Sequence, residues 1–177
     1  MSTPCSIFYK NQEGKYQGIF CHYNGMPEYT AEILYHHYQE EALVKQLIQL
    51  GGIFHVKENI REIITFRSAL NDKIIDKKRR TLGWNALSDD EKKRIFFYDS
   101  AKGWKKYHTK WVFSSEEAML NAWDTWEDTE YLLGSYYIYL YDATKKGKNK
   151  WEIFYQGKTK QLHRNITPSL IKQFEEE

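Results

Sequence analysis

The stretch YQGIFCHYNGMPE, from Tyr16 to Glu28, decides how the rest of the chain is read. Tyr16, Ile19, Phe20 and Tyr23 are aromatic or β-branched, the types that suit a pleated, half-buried strand. Asn24-Gly25 is a turn pair, since both residues tolerate positive φ. Pro27 suits the first turn of a helix, where its missing N–H costs nothing. A strand, a turn and a helix start are therefore expected in succession, with His22 and a set of backbone N–H groups gathered at the junction.

Working outward, SIFYK (Ser6–Lys10) precedes a polar NQEGK turn, so the two strands should form a hairpin. Downstream, PEYTAEILYHHY places Tyr29, Ile33 and His37 on one helical face, with Leu34 and Tyr38 beside it. EEALVKQLIQLGG predicts a second helix, lined by Leu43, Leu47 and Leu50 with Val44 and Ile48, and ended by Gly51-Gly52. IFHV (Ile53–Val56) reads as a short third strand. Lys57–Asp76 mixes apolar residues at helical spacing with many charges and fits either a helix or a long connection.

Ser88-x-x-Glu91 predicts a capping box opening a short helix. RIFFY (Arg94–Tyr98) and WKKYHTKWVF (Trp104–Phe113) then read as a hairpin. Ser114-x-x-Glu117 is a second capping box, before a helix bearing Ala118, Met119, Ala122, Trp123 and Trp126. SYYIYLYDA (Ser135–Ala143) and WEIFYQG (Trp151–Gly157) form a further hairpin, and Thr167-Pro168 opens a last helix with Leu170, Ile171 and Phe174. Hairpins interleaved with helices, without repeating βαβ units, indicate an α+β fold with a mainly antiparallel sheet and helices packed on it.

The 177 residues suit a single domain, within which 57–113 is a basic, inserted-looking segment. That segment carries 15 basic and 8 acidic groups, a net +7, between ends of −2 and −3. Cys5 and Cys21 fit no disulfide framework. No apolar run approaches the roughly 18 residues of a membrane span. The expectation is a cytoplasmic protein with reduced thiols and no membrane partner.

At YQGIFCHYNGMPEYTAEILYHHY the chain resembles a family of small phage and prophage proteins. Their hallmark is a strand reading Tyr-x-Gly-Ile-Tyr, then Cys or a similar residue and His-Trp-Asp-Gly-Tyr-Pro. Two helices follow, the second ending in a Leu-Gly turn, here LIQLGG. A C-terminal strand pair like SYYIYLYD…KWEIFYQG is also frequent in the family. His22, Gly25 and Pro27 match the hallmark, while Tyr23, Asn24 and Met26 stand where the family has Trp, Asp and Tyr. The likeness covers roughly residues 7–56 well and 116–162 loosely. It implies phage or prophage origin in a bacterial host cell, where small accessory proteins are often inhibitors of defence systems, anti-CRISPR proteins among them.

Catalytic motifs are lacking: G-x-S-x-G, P-loop and G-x-G-x-x-G patterns do not occur. A metal set from Cys21, His22, His36 and His37 would need neighbours that diverge, across a strand or by about 100° round a helix. At most two ligands could converge, so no metal, no cofactor and no enzyme are expected. The first candidate site is a basic, aromatic surface of Lys77, Lys78, Arg79, Arg80, Trp84, Lys105 and Lys106, with Lys92, Lys93, Arg94, Lys110, Phe97, Trp104 and Tyr107 interleaved. It would cover a host defence protein such as an RNA-guided nuclease, or contact nucleic acid through phosphate neutralisation and stacking. The second candidate is a ligand pocket at His22, Tyr23, Asn24 and Gly25, in which a nucleotide-sequestering protein would hold a phosphate on the helix starting near Pro27.

Overall fold

The structure is a computed structural model that describes residues 3–103, 108, 110–123 and 134–177, with the backbone of 124. Its described residues form seven α-helices and a six-stranded, mainly antiparallel sheet, an α+β architecture. Strand β1 (Cys5–Lys10) pairs antiparallel with β2 (Tyr16–Cys21), with Phe8 opposite Gly18. Gly18 has no side chain because the Phe8 ring lies across it, 2.3 Å from where a Cβ would sit. Gly14, at φ 83°, supplies the left-handed residue of the connecting turn.

Helices α1 (Thr30–His37) and α2 (Glu41–Gln49) follow, and Gly51 at φ 72° ends α2. The helix at α1 begins three residues after Pro27, so its inward face differs from the expected one. Ala31, Leu34 and Tyr38 are buried, whereas Tyr29 is 51% exposed. IFHV is not a strand. Only Ile53 forms β-bridges, to Cys21 and to Thr65, and it threads the chain beside the end of β2.

The described residues of the basic middle are mostly helical. A 3-10 turn (Ile60–Glu62) leads to the short α3 (Phe66–Ala69), α4 (Lys73–Leu82), a second 3-10 turn (Trp84–Ala86) and α5 (Asp89–Gly103). The Ser88–Glu91 capping box is present, with both reciprocal bonds near 3.0–3.2 Å. The helix it opens runs through RIFFY, which corrects the expected hairpin. Ile-Phe-Phe-Tyr has high strand propensity, but Ile95, Tyr98 and Ala101 recur at helical spacing and pack inward, and packing overrides propensity. Of 104–113, Trp111–Phe113 forms β3, which pairs antiparallel with β2.

Helix α6 (Glu116–Asp124) is capped by Ser115, whose hydroxyl accepts the Ala118 N–H at 3.1 Å, one residue later than the expected Ser114. Trp126, expected on its apolar face, lies outside the described residues. Strand β4 (Tyr137–Asp142) joins β1 in parallel, and β5 (Trp151–Gln156) and β6 (Gln161–Asn165) extend the sheet antiparallel. Helix α7 (Pro168–Glu175) is capped by Thr167 as expected. The sheet order is β3-β2-β1-β4-β5-β6.

Helices cover both faces, which is why β1 and β4 are buried almost end to end. On one face Ile7, Ile19, Tyr139, Trp151 and Ile153 pack on α1, α2 and α7. On the other, Phe8, Leu140 and Phe154 meet Met119 and Trp123 of α6. Beside them Phe20 meets Phe54, Phe66 and Phe97 of the middle segment. Each such buried side chain contributes about 1.5–3 kcal/mol. The basic segment is thus fastened to the sheet by an aromatic cluster at the β2 edge.

Candidate functional site

Helices α4 and α5 are joined by ion pairs made from the basic run itself. The Lys78 ammonium lies 2.9 Å from Glu91. Arg79 forks onto Asp99 at 2.7 and 3.0 Å and also reaches Asp76. Arg80 lies 3.2 Å from Asp76, which is buried, and Arg94 lies 2.5 Å from Asp72. The Glu91 carboxyl is held below its usual range, first by the Ser88 backbone N–H and then by Lys78. Three of the four cations in Lys77–Arg80 are therefore engaged within the fold. Lys77 stands exposed, without a carboxylate paired to it among the described residues.

Among its exposed charges the module also presents large apolar and aromatic side chains. Ile74 is 83% exposed and Leu82 65%, with Trp84 and Phe96 about half exposed. The Lys92 ammonium sits 5.7 Å over the Trp84 ring. Phe96 follows Lys92 by one helical turn, so the two share the outer side of α5. Phe96 then stacks on Tyr23, with centroids 6.4 Å apart, and Tyr23 stacks on His55 at 5.1 Å. A continuous ribbon runs from Trp84 over Lys92 and Phe96 to Tyr23 and His55. It joins the two sites expected separately from the sequence. Trp104, Lys105, Lys106 and Tyr107 lie outside the described residues.

At the junction His22 is buried against the rings of Phe20, Tyr23, Phe54 and Phe66. Burial, and secondarily the neighbouring His55, pushes its pKa down to about 4, so it is neutral at pH 7. Asn24 adopts φ 55°, and its side-chain amide donates to His55 Nδ1 at 3.2 Å. The Thr30 hydroxyl donates to the Asn24 carbonyl at 2.6 Å. Gly25 is bound on both sides: its N–H donates to the Thr3 carbonyl at 2.7 Å, and its carbonyl accepts the Tyr139 hydroxyl at 2.6 Å.

Backbone N–H groups of the α1 start are also engaged, Thr30 to the Met26 carbonyl and Glu32 to the Pro27 carbonyl. The open side of the junction is instead a concavity of about 340 Å³ between Asn24, Tyr29 and Ile33 on one wall and His55–Glu58 with Glu62 on the other. Of its lining, Asn24 was expected from the turn motif. His55 was not, because nothing in the alternation of IFHV shows that it runs alongside residues 21–24.

Cys5 and Cys21 face each other in register, both fully buried. Burial raises the Cys5 pKa well above its ordinary value. His36 lies beside Glu32 and His37 beside Glu58. Among the described residues no group of three or more His, Cys, Asp or Glu is placed to hold a metal ion. No helix of the described residues is long and apolar enough to cross a membrane. No family model, curated protein or solved structure matches the chain.

Proposed function

We propose that this protein acts by stoichiometric binding, as a phage- or prophage-encoded inhibitor that covers a defence protein in the bacterial cytoplasm, an RNA-guided nuclease being the favoured class. The observation that carries this reading is the ribbon of half-exposed Trp84 and Phe96 with the partly buried Lys92 and Tyr23, on a segment that also leaves Ile74 and Leu82 exposed. Large apolar and aromatic side chains left exposed together mark interaction surfaces, and tryptophan and tyrosine dominate interface energetics. The neighbouring cations Lys77, Lys92 and Lys93 suit an acidic partner surface. Lys78 and Arg79 serve this surface indirectly, by holding α4 against α5.

The test is co-purification with a purified effector. A complex near one-to-one, abolished by Trp84→Ala with Phe96→Ala, is expected. An oligonucleotide shift without any partner, falling steeply with salt, would favour nucleic-acid binding instead. Turnover of a substrate at substoichiometric protein would overturn the reading.

A further inference from the structure

The concavity beside Asn24 carries both signs of charge, and their placement selects a ligand. Tyr29 offers a half-exposed ring, and Ile33 and Val56 supply apolar wall. Glu58, just before the 3-10 turn, and Glu62, its last residue, bring two carboxylates to the lining. Glu58 is shared with His37 at 3.8 Å, while Glu62 has no ion-pair partner among the described residues. On the same wall lies Lys57, and Lys57 and Lys93 are both close enough to His55 to add to burial in holding its pKa below the ordinary imidazole value.

The Asn24 amide nitrogen can only donate, so His55 Nδ1 accepts and the ring proton sits on Nε2. The site therefore combines a flat stacking ring, carboxylate acceptors, a neutral imidazole N–H donor and a flanking lysine. Its 340 Å³ falls within the range of small-molecule sites, about 300–1,000 Å³.

A free anion such as phosphate would meet two carboxylates there, and a plain cation would meet Lys57. A neutral planar heterocycle with an anionic tail satisfies both signs. Among nucleobases, only guanine presents two adjacent N–H donors, N1–H and the 2-amino group, that match one carboxylate in a bidentate pair.

We propose that this concavity is a guanine-nucleotide site. The base stacks on Tyr29 and donates N1–H and N2–H to Glu62, His55 Nε2–H donates to an acceptor on the base, and the phosphate lies toward Lys57. The proposal goes beyond the protein-binding reading and does not rest on it, since it uses neither Trp84 nor Phe96.

Calorimetry and thermal-shift titrations of the full chain with GMP, guanosine, AMP, CMP and inorganic phosphate test it. GMP is expected to bind and to raise the melting temperature, with AMP and CMP at least about tenfold weaker, because a mismatched edge leaves a carboxylate unpaired. Glu62→Gln should remove the preference for GMP over AMP. Lys57→Ala should bring GMP down to the affinity of guanosine and leave guanosine unchanged, and Trp84→Ala should alter nothing. Equal binding of AMP and GMP, undiminished GMP binding by Glu62→Gln, or no stabilisation of the folded wild type at about 1 mM GMP would overturn it.

Discussion

The rings of Tyr23 and Phe96 stack with 6.4 Å between centroids and 26° between planes, one from the end of the first hairpin and one from α5. This contact makes one surface of two segments that lie 73 positions apart in the chain. It also explains why His22 is buried, since Tyr23 closes over the same aromatic cluster that receives Phe97.

Arg79 is expected to be structural. Arg79→Ala removes a fork onto Asp99 and leaves the buried Asp76 with Arg80 alone. Arg79 keeps 27% of its side-chain exposure, so screening limits the loss to about 1–2 kcal/mol, read as a lower denaturation midpoint. Binding by the surviving folded protein should be less affected than by Trp84→Ala. A variant as stable as the wild type would remove the ion-pair account of the basic run.

Gly25 is a packing requirement. A Cβ there would lie 2.5 Å from the Thr3 carbonyl oxygen and 2.8 Å from the Cys5 Cβ. Gly25→Ala should therefore cost roughly 1–3 kcal/mol, as overpacking of a rigid site does. A urea melt checks this, with Gly14→Ala a contrast that has open space but a strained φ of 83°.

These two residues show where the sequence was legible and where it was not. The turn motif marked Asn24, whose positive φ is a local demand on residue type, whereas Gly25 lacks a positive φ and is required instead by its close approach to Thr3 and Cys5, about 20 positions back in the chain. The β1–β2 and β4–β5 hairpins, α2, α7 and the α+β class followed from periodicity and caps, which are likewise local. Arg79 looked like part of a free basic surface, since its acceptor Asp99 is 20 positions away on a helix where a hairpin turn was expected. The side-by-side parallel pairing of β1 and β4, and the strand β6, depend on long-range contacts with no local signature.

His22 should make the fold acid-sensitive. Its pKa lies near 4 in the folded state, below the unfolded value near 6.5. Below pH 6.5 the unfolded chain takes up the proton first, so stability is full above that value and is lost progressively down to about pH 4. The loss amounts to roughly 3 kcal/mol at most. His55, shifted in the same direction, adds to the trend. Melting temperatures from pH 7 to 4 should fall, and His22→Phe should flatten the fall. An unchanged slope in that variant would show that carboxylates alone govern the acid limb.

We propose that the ribbon, rather than the cationic run, is the working surface. Trp84 and Phe96 are about half exposed, so the double change Trp84→Ala, Phe96→Ala should shift stability by only about 0.5 kcal/mol per site. The most direct measurement is the affinity of the wild type and this double variant for the effector that co-purifies at one-to-one ratio. At matched melting temperature, a loss of about 100-fold or more in the double variant is the predicted result. Equal affinities for the two proteins would contradict the claim.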